Sequence, residues 1–542
     1  MRVRLGAAAL LLGMAAAALA ADEAVHVHRV QPGDTLIGIG RTLLADPEAW
    51  PELARVNAVR QPRRLQPGSE LLVPLRLMRT EPLDATLVSV QGGVATSAGP
   101  ARAGQALPEG SRIEAPPGAQ ATVRLVDGTL LRLRGGSRLQ VDESRRVIGT
   151  DAVQSGVRLE QGRAEVEAAR ARAGRPGFRV RTPQGTLAVR GTAYRADVAE
   201  QGTRTEVTEG QVSAAGAAET QLVGAGQGTR IDPSGRVDAP RALPPQPDLG
   251  GLPALHERPV VRLALPLPAG VAGWRVQVGR DEAFDGLWFD QLVRGNEVRI
   301  ATLPDGRHPL RVRAVDADGF EGLDARGVVV LKARPEPPLP IGPAPGARLH
   351  GTSAELRWTA SSEAARYRLQ LARIDGPDAG AGSLVHDLRD LDGTSRTFDG
   401  LQPGQYRWRL ASVRADGDTG PFGDPQAFEL RALPPQPAAP APPDVDENRV
   451  RLSWPGEAGF WYELQVARDP AFTQLLIERR LDRNSIELEP PAVGRYHVRL
   501  RLRDADGMVG PWSAPQHFDV VPCLNLGSGG CLRVDGRPMQ KP

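Results

Sequence analysis

Three segments in the second half of the chain repeat one another, and this repetition limits the architecture more than any other feature. Trp274-Arg-Val-Gln-Val-Gly-Arg-Asp, Tyr367-Arg-Leu-Gln-Leu-Ala-Arg and Tyr462-Glu-Leu-Gln-Val-Ala-Arg-Asp begin 93 and 95 residues apart. Each leads to a second shared strand, starting at Gly306, Gly404 and Gly494, and then to an Asp-Gly turn at Asp318-Gly319, Asp416-Gly417 and Asp506-Gly507. Alternation of apolar with polar residues marks strands that bury one face. About ninety residues of such strands per repeat is the size of a β-sandwich. Three tandem sandwiches are expected, over 253–334, 347–432 and 443–522.

The later two units carry an early tryptophan, Trp358 in ELRWTA and Trp454 in RLSWP. They also share GQY or GRY before a strand and a G-P-[FW] ending. These features resemble fibronectin type III domains, from which the first unit diverges by lacking the early tryptophan. The resemblance implies a packing role for Tyr406 and Tyr496 as tyrosine corners. Strand aromatics are read as core rather than as sugar platforms. Pro-rich stretches flank the units: RALPPQP at Arg241–Pro247 and again at Arg431–Pro437, and RPEPPLPIGPAP at Arg334–Pro345. Linkers over 239–252, 335–346 and 433–442 are expected to be extended spacers.

Residues 84–238 form a second all-β region. Val123 and Leu125 flank Arg124, Leu131 and Leu133 alternate with Arg132 and Arg134, and Phe178, Val180, Leu187 and Val189 oppose Arg179, Arg181 and Arg190. Such short strands fit a solenoid-like stack or a sandwich, with the stack slightly favoured. The arginine faces read as solvated edges that keep strands from pairing with other chains, in preference to a surface for an acidic partner. Thr182–Tyr194 (TPQGTLAVRGTAY), with the later EGQV and GQG elements, resembles the FecR family. That resemblance implies a periplasmic domain. Regulators of the family join it to a cytoplasmic segment that controls a sigma factor; with no such segment here, interaction or scaffolding remains. Thr182, Thr186, Thr192 and Tyr194 have no base or nucleophile nearby and are expected to pack and hydrogen-bond at turns.

Ahead of this region the chain reads β-α-α-β in under fifty residues. A strand over Val25–Val30 stops at Pro32-Gly33. Asp34 is placed to cap a helix bearing Leu36, Ile39, Leu43 and Leu44. Asp46 and Pro47 start a second helix with Trp50, Leu53 and Ala54 on one face, and Asn57 suits a left-handed residue at its end. Gln66-Pro67-Gly68 turns into a closing strand, Glu70–Val73. Val30, Gly33–Leu36, Ile39, Trp50, Leu53, Asn57, Leu65, Pro67-Gly68, Leu72 and Pro74 together resemble a LysM module, placed here at 26–76. That family binds N-acetylglucosamine-containing glycans, chiefly peptidoglycan and chitin. The resemblance implies a shallow groove with Gly33, Asp34, Thr35 and Leu36 on one side and Leu65, Gln66 and Pro67 on the other. Backbone amides and the Thr35 hydroxyl suit N-acetyl groups, Leu36 and Leu65 suit apolar sugar faces, and Thr35 and Gln66 are the cleanest positions to test.

Met1–Ala20 reads as a secretory signal peptide ending in Ala18-Leu19-Ala20, and no later stretch is apolar and long enough to span a bilayer. The mature chain is therefore expected to be periplasmic or in the cell envelope, with peptidoglycan as partner and no membrane span. There Cys523 and Cys531, the only cysteines, are expected to form a disulfide in the tail over 523–542. The net charge of +3 is small and interleaved, which argues against a nucleic-acid face. Among eight histidines only His26 and His28 are close, with no third metal ligand. Cys523 and Cys531 lie in a Gly-rich tail, spacing alone leaves a facing pair among the 64 acidic residues open, and no segment resembles a catalytic domain. The expectation is a mainly β, multidomain, non-enzymatic binding scaffold without metal or cofactor. A periplasmic sensor of FecR type is the alternative.

Overall fold

The computed structural model describes residues 24–169, 177–189, 191–374, 382–445 and 449–521, with short strand pairs between 525 and 538. The expected signal peptide, Arg190 and the Cys523–Cys531 disulfide lie outside the described residues. The chain divides into two compact units, Met1–Lys332 and Ala333–Pro542.

The first unit begins with an antiparallel hairpin of Val25–Arg29 on Glu70–Pro74, which encloses helices Leu36–Leu43 and Trp50–Val56. Asp46 starts the second helical stretch as expected: its carboxylate accepts from the Glu48 N–H at 3.0 Å, and Pro47 opens a 3-10 turn. Asn57 acts differently from the expectation. It keeps φ near −100° and Ala58 takes the left-handed φ of 51°. The Asn57 amide instead donates to the Leu53 and Leu72 carbonyls and accepts from the Leu72 N–H, lacing helix to strand. Val30, Leu36, Ile39, Leu53 and Val73 fill the core, which is completed by Val147 and Ala152 from the next region. Strand Thr80–Pro82 pairs with Arg145–Val147, so the module is seated on that region by a ladder.

Residues from 85 to 231 build two sheets around one apolar core, which favours the sandwich-like alternative over a solenoid. The 15-residue strand Val153–Glu167 belongs to both sheets. It pairs with Ser137–Val147 in one and with Ala193–Ala199 in the other. Gly162, at φ +79°, sits where it passes between them, a conformation that side-chain-bearing residues resist. Thr182 closes a turn as expected, its hydroxyl donating to the Gly185 carbonyl at 3.1 Å.

The first sandwich packs against this region, and the joint overturns one reading of the arginine faces. Arg132 and Arg134 are buried rather than solvated. Arg134 reaches Glu165 at 2.9 Å, and Arg132 reaches Asp285 of the sandwich at 2.7 Å. Arg311 and Arg313 of the sandwich close on the same Glu165 at 2.9 and 3.2 Å, and Arg313 continues to Glu321 at 2.9 Å. Burial opposes ionisation of Glu165, but Arg134, Arg311 and Arg313 outweigh it and hold the carboxyl well below the usual range. Burial drives the Arg311 guanidinium down to about 10, still charged at neutral pH.

The Pro-rich stretches are built into the domains rather than spacing them. Arg241–Ala242 pairs with Gln227-Gly228, and Pro340–Gly342 pairs with Ala354–Trp358. A β-carbon at Gly322, Gly420 or Gly510 would run into the carbonyl oxygen of Pro244, Pro335 or Pro434 respectively. The glycine of each repeat's ending therefore makes room for the proline segment that precedes the repeat.

In the second unit, sheets of three and five strands form one sandwich, and sheets of three and four form the next. Trp358 and Trp454 are buried in the two cores. Tyr406 and Tyr496 donate to the carbonyls of Gln402 and Ala492 at 2.7 and 2.6 Å, the expected corners. In the first unit's sandwich, His308 takes this position and bonds the Pro304 carbonyl at 2.8 Å. The match was visible as Gly-Arg-His beside Gly-Gln-Tyr and Gly-Arg-Tyr.

Candidate functional site

The two loops at one end of the N-terminal hairpin hold the residues expected to meet a glycan. Gly33, Gln66 and Pro67 are exposed, and Leu65 is half-buried against the core. A hydrogen bond from the Leu36 N–H to the Pro62 carbonyl, 2.9 Å, ties the first loop to the second. The N–H groups of Gly33 and Thr35 meet no acceptor among the described residues and remain available.

Three expectations need correction here. Thr35, not Asp34, caps the first helix: its backbone is extended and its hydroxyl accepts from the Gly38 N–H at 3.0 Å. Asp34 turns back instead, accepting from the Gln31 N–H at 2.8 Å and facing His28 Nε2 at 3.0 Å. The Gln31 hydrogen bond, followed by that of His28, holds the Asp34 carboxyl below its ordinary value. Leu36 is fully buried, so its side chain cannot reach a sugar. Thr35 is consequently a poor probe of binding alone, because its loss removes a cap worth about 1 kcal/mol. Gln66 remains a clean one; its backbone carbonyl holds Ser69, while its side chain is free among the described residues.

Beside these loops runs a groove of about 520 Å³ lined by Ile37, Trp50 and Arg60–Arg64. Trp50 packs against the module core on the helix face expected for it, and it also lines this groove. Its ring is only half-buried and offers an apolar plate of the kind that sugar faces stack on. Arg60, Arg63 and Arg64 line the same groove as that tryptophan.

Other candidate constellations stay structural. Burial, and then His28, holds His26 below its ordinary value. One grouping of three metal-type ligands occurs among the described residues, His350, Asp504 and Asp506. Asp504 already faces His350 at 2.9 Å, and Asp506 lies between Arg348 and Arg431 at 2.9 and 2.6 Å. The charges are matched by side chains within this joint, a poor setting for a cation. Among the described residues no helix is long and apolar enough to cross a membrane.

Comparison with known families finds the LysM domain over residues 28–74 and the FecR protein family over residues 111–213. Both are binding or regulatory modules, and no enzyme family is indicated. Among solved structures, a candidate anti-sigma factor from Parabacteroides distasonis is 21% identical, with a TM-score of 0.21. The match covers 24% of this chain and 59% of that one. The FN1-FN3 domains of chicken CNTN1 match at 15% identity and a TM-score of 0.24, over 51% of this chain and 99% of theirs. Fibronectin(III)-like modules of Clostridium thermocellum CbhA match at 12% and 0.21, over 33% of this chain and 90% of theirs.

Proposed function

We propose that this chain is an exported, non-enzymatic scaffold that holds peptidoglycan through its LysM module and presents the FecR-like region and the sandwiches as interaction surfaces. The observation that carries this reading is the coincidence of the LysM match over 28–74 with a complete β-α-α-β core. Two loops of that core leave Gly33, Gln66 and Pro67 exposed beside a tryptophan-lined groove. LysM domains bind N-acetylglucosamine glycans, and backbone amides with an aromatic plate supply the matching chemistry.

The test is co-sedimentation of the full chain with purified sacculi. Gln66→Trp should lower the bound fraction about tenfold while the thermal transition holds; undiminished binding by this folded variant removes the groove from the reading. Deleting the module is a worse test, because it strips cover from Val147 and Ala152. A second reading, a periplasmic regulatory component, draws on the FecR match over 111–213. A change in sigma-factor-dependent transcription on loss of the protein, with sacculus binding absent, would favour it.

A further inference from the structure

A second cleft, of about 830 Å³, lies where the N-terminal module meets the outward face of the FecR-like region. Ala24 and Leu75 form its wall on the module side. They stand at the end of the hairpin opposite the glycan loops: Val25 pairs with Pro74 near the cleft, and Arg29 pairs with Glu70 near the loops. Those four ladder steps span about 13 Å.

The floor is a sheet face with a low centre, Ala188 and Ser213, flanked in register by Arg179 on one side and Leu222 on the other, with Gln211 beside them. Short side chains let a ligand backbone come close to a sheet. Around this floor stand Arg76, Arg145, Arg179 and Arg181 against two carboxylates, Asp142 and Glu143. Arg181 is fixed by both acids, at 3.0 and 2.7 Å. Arg145 is fixed by Glu109 at 2.6 Å, and Arg76 by Glu52. Arg179 is exposed and pairs with no acid among the described residues. The rim therefore holds one cation ready for an incoming anion, supported by three already braced.

We infer that this cleft takes the short acidic peptides that branch from a peptidoglycan strand seated in the module's groove. This rests on the proposed function. An extended peptide advances about 3.3–3.6 Å per residue, so about four residues cover the distance along the ladder. Its free carboxylates supply the charge Arg179 lacks, and its amides suit Gln211 and Ser213. A peptide-free chitin-type strand would fill the groove and leave the cleft empty.

The experiment measures binding of the full chain to three soluble probes: an N-acetylglucosamine oligomer, peptide-bearing fragments released from sacculi, and free stem peptide. The peptide-bearing fragments should bind about tenfold tighter than the oligomer, with the preference shrinking as salt rises. Arg179→Glu should abolish the preference and leave oligomer affinity unchanged, while Arg179→Lys should keep most of it. A wild-type chain that binds both glycans equally, or an Arg179→Glu chain that keeps the preference, overturns the inference. Free peptide binding as tightly as the peptide-bearing fragment overturns the coupling between cleft and groove. Failure to bind any glycan overturns the proposed function itself.

Discussion

The first and third sandwiches present the same arginine face to opposite fates. In each, a strand glutamine accepts from an arginine on the neighbouring strand, Gln277 from Arg311 at 2.8 Å and Gln465 from Arg499 at 3.0 Å. In each, a phenylalanine ring lies under that arginine, Phe284 at 4.4 Å and Phe472 at 4.0 Å. Arg313 and Arg501 follow two residues later. Yet Arg313 is 2% exposed and bonded to Glu165, whereas Arg499 and Arg501 are half-buried and lie over Trp512 at 4.4 Å each. The difference is the acid opposite. Where Glu165 is supplied from another region, the face becomes a sealed joint; where it is not, the sandwich's own Glu463 holds Arg501 and the Trp512 ring covers the cations. A repeated sequence pattern specifies the face, and its neighbour decides the use.

The strongest way to break this contrast is Glu165→Ala. It leaves Arg134, Arg311 and Arg313 confronting one another in a buried site and should cost about 3–5 kcal/mol. The loss should appear in urea unfolding as an early transition of the first unit. Glu463, which reaches Arg501 at 2.7 Å in the third sandwich, is the control, and Glu463→Ala should cost about 1–2 kcal/mol. Equal losses would mean that the two faces are energetically alike.

Acid should separate the same two regions. The folded pKa of Glu165 lies below its unfolded value, so its stabilisation is complete above about pH 4.5 and is lost as pH falls through the folded value. Asp324 of the same joint is depressed likewise: burial opposes this, and Arg313 and Arg311 overcome it. Thermal melts from pH 7 to 3 should hold steady to about pH 4.5 and then drop for the first unit. Glu165→Gln should flatten that drop. An acid limb unchanged by this substitution would take Glu165 out of the account.

The proline seats should respond alike in both sandwiches. Gly322→Ala and Gly510→Ala each drive a methyl into a proline carbonyl and should cost about 1–3 kcal/mol. A loss at one site only would show that the seats differ. The smallest effects belong to the N-terminal module. Thr35→Val should lower stability by about 1 kcal/mol through its lost cap, and Gln66→Trp should stay within about 0.5 kcal/mol.

The β-α-α-β order and both tyrosine corners were legible in the chain because each depends on residues a few positions apart, and the repeats because the same local pattern returns three times. Three things were not. Asp34 and Thr35 are both good caps, and the choice between them falls to Gln31 and His28, which claim Asp34. The fate of Arg132 and Arg134 depends on acids 31 to 153 residues away, beyond the reach of alternation. The Pro-rich stretches carry the composition of free spacers, and only the glycines at the repeat ends hint that they are held. The glycan loops could be placed by motif.

The core shared between the N-terminal module and Val147–Ala152 has a mechanical consequence. A binding module on a loose tether absorbs a pull by straightening its leash, and its orientation is soon forgotten. Here Thr80–Pro82 is stitched to Arg145–Val147, and Arg79 donates back to the Leu44 carbonyl at 3.0 Å. A tug on the module thus passes into Ser137–Val147 and, through its ladder, into the strand that both sheets of the neighbouring fold share, as torque rather than slack.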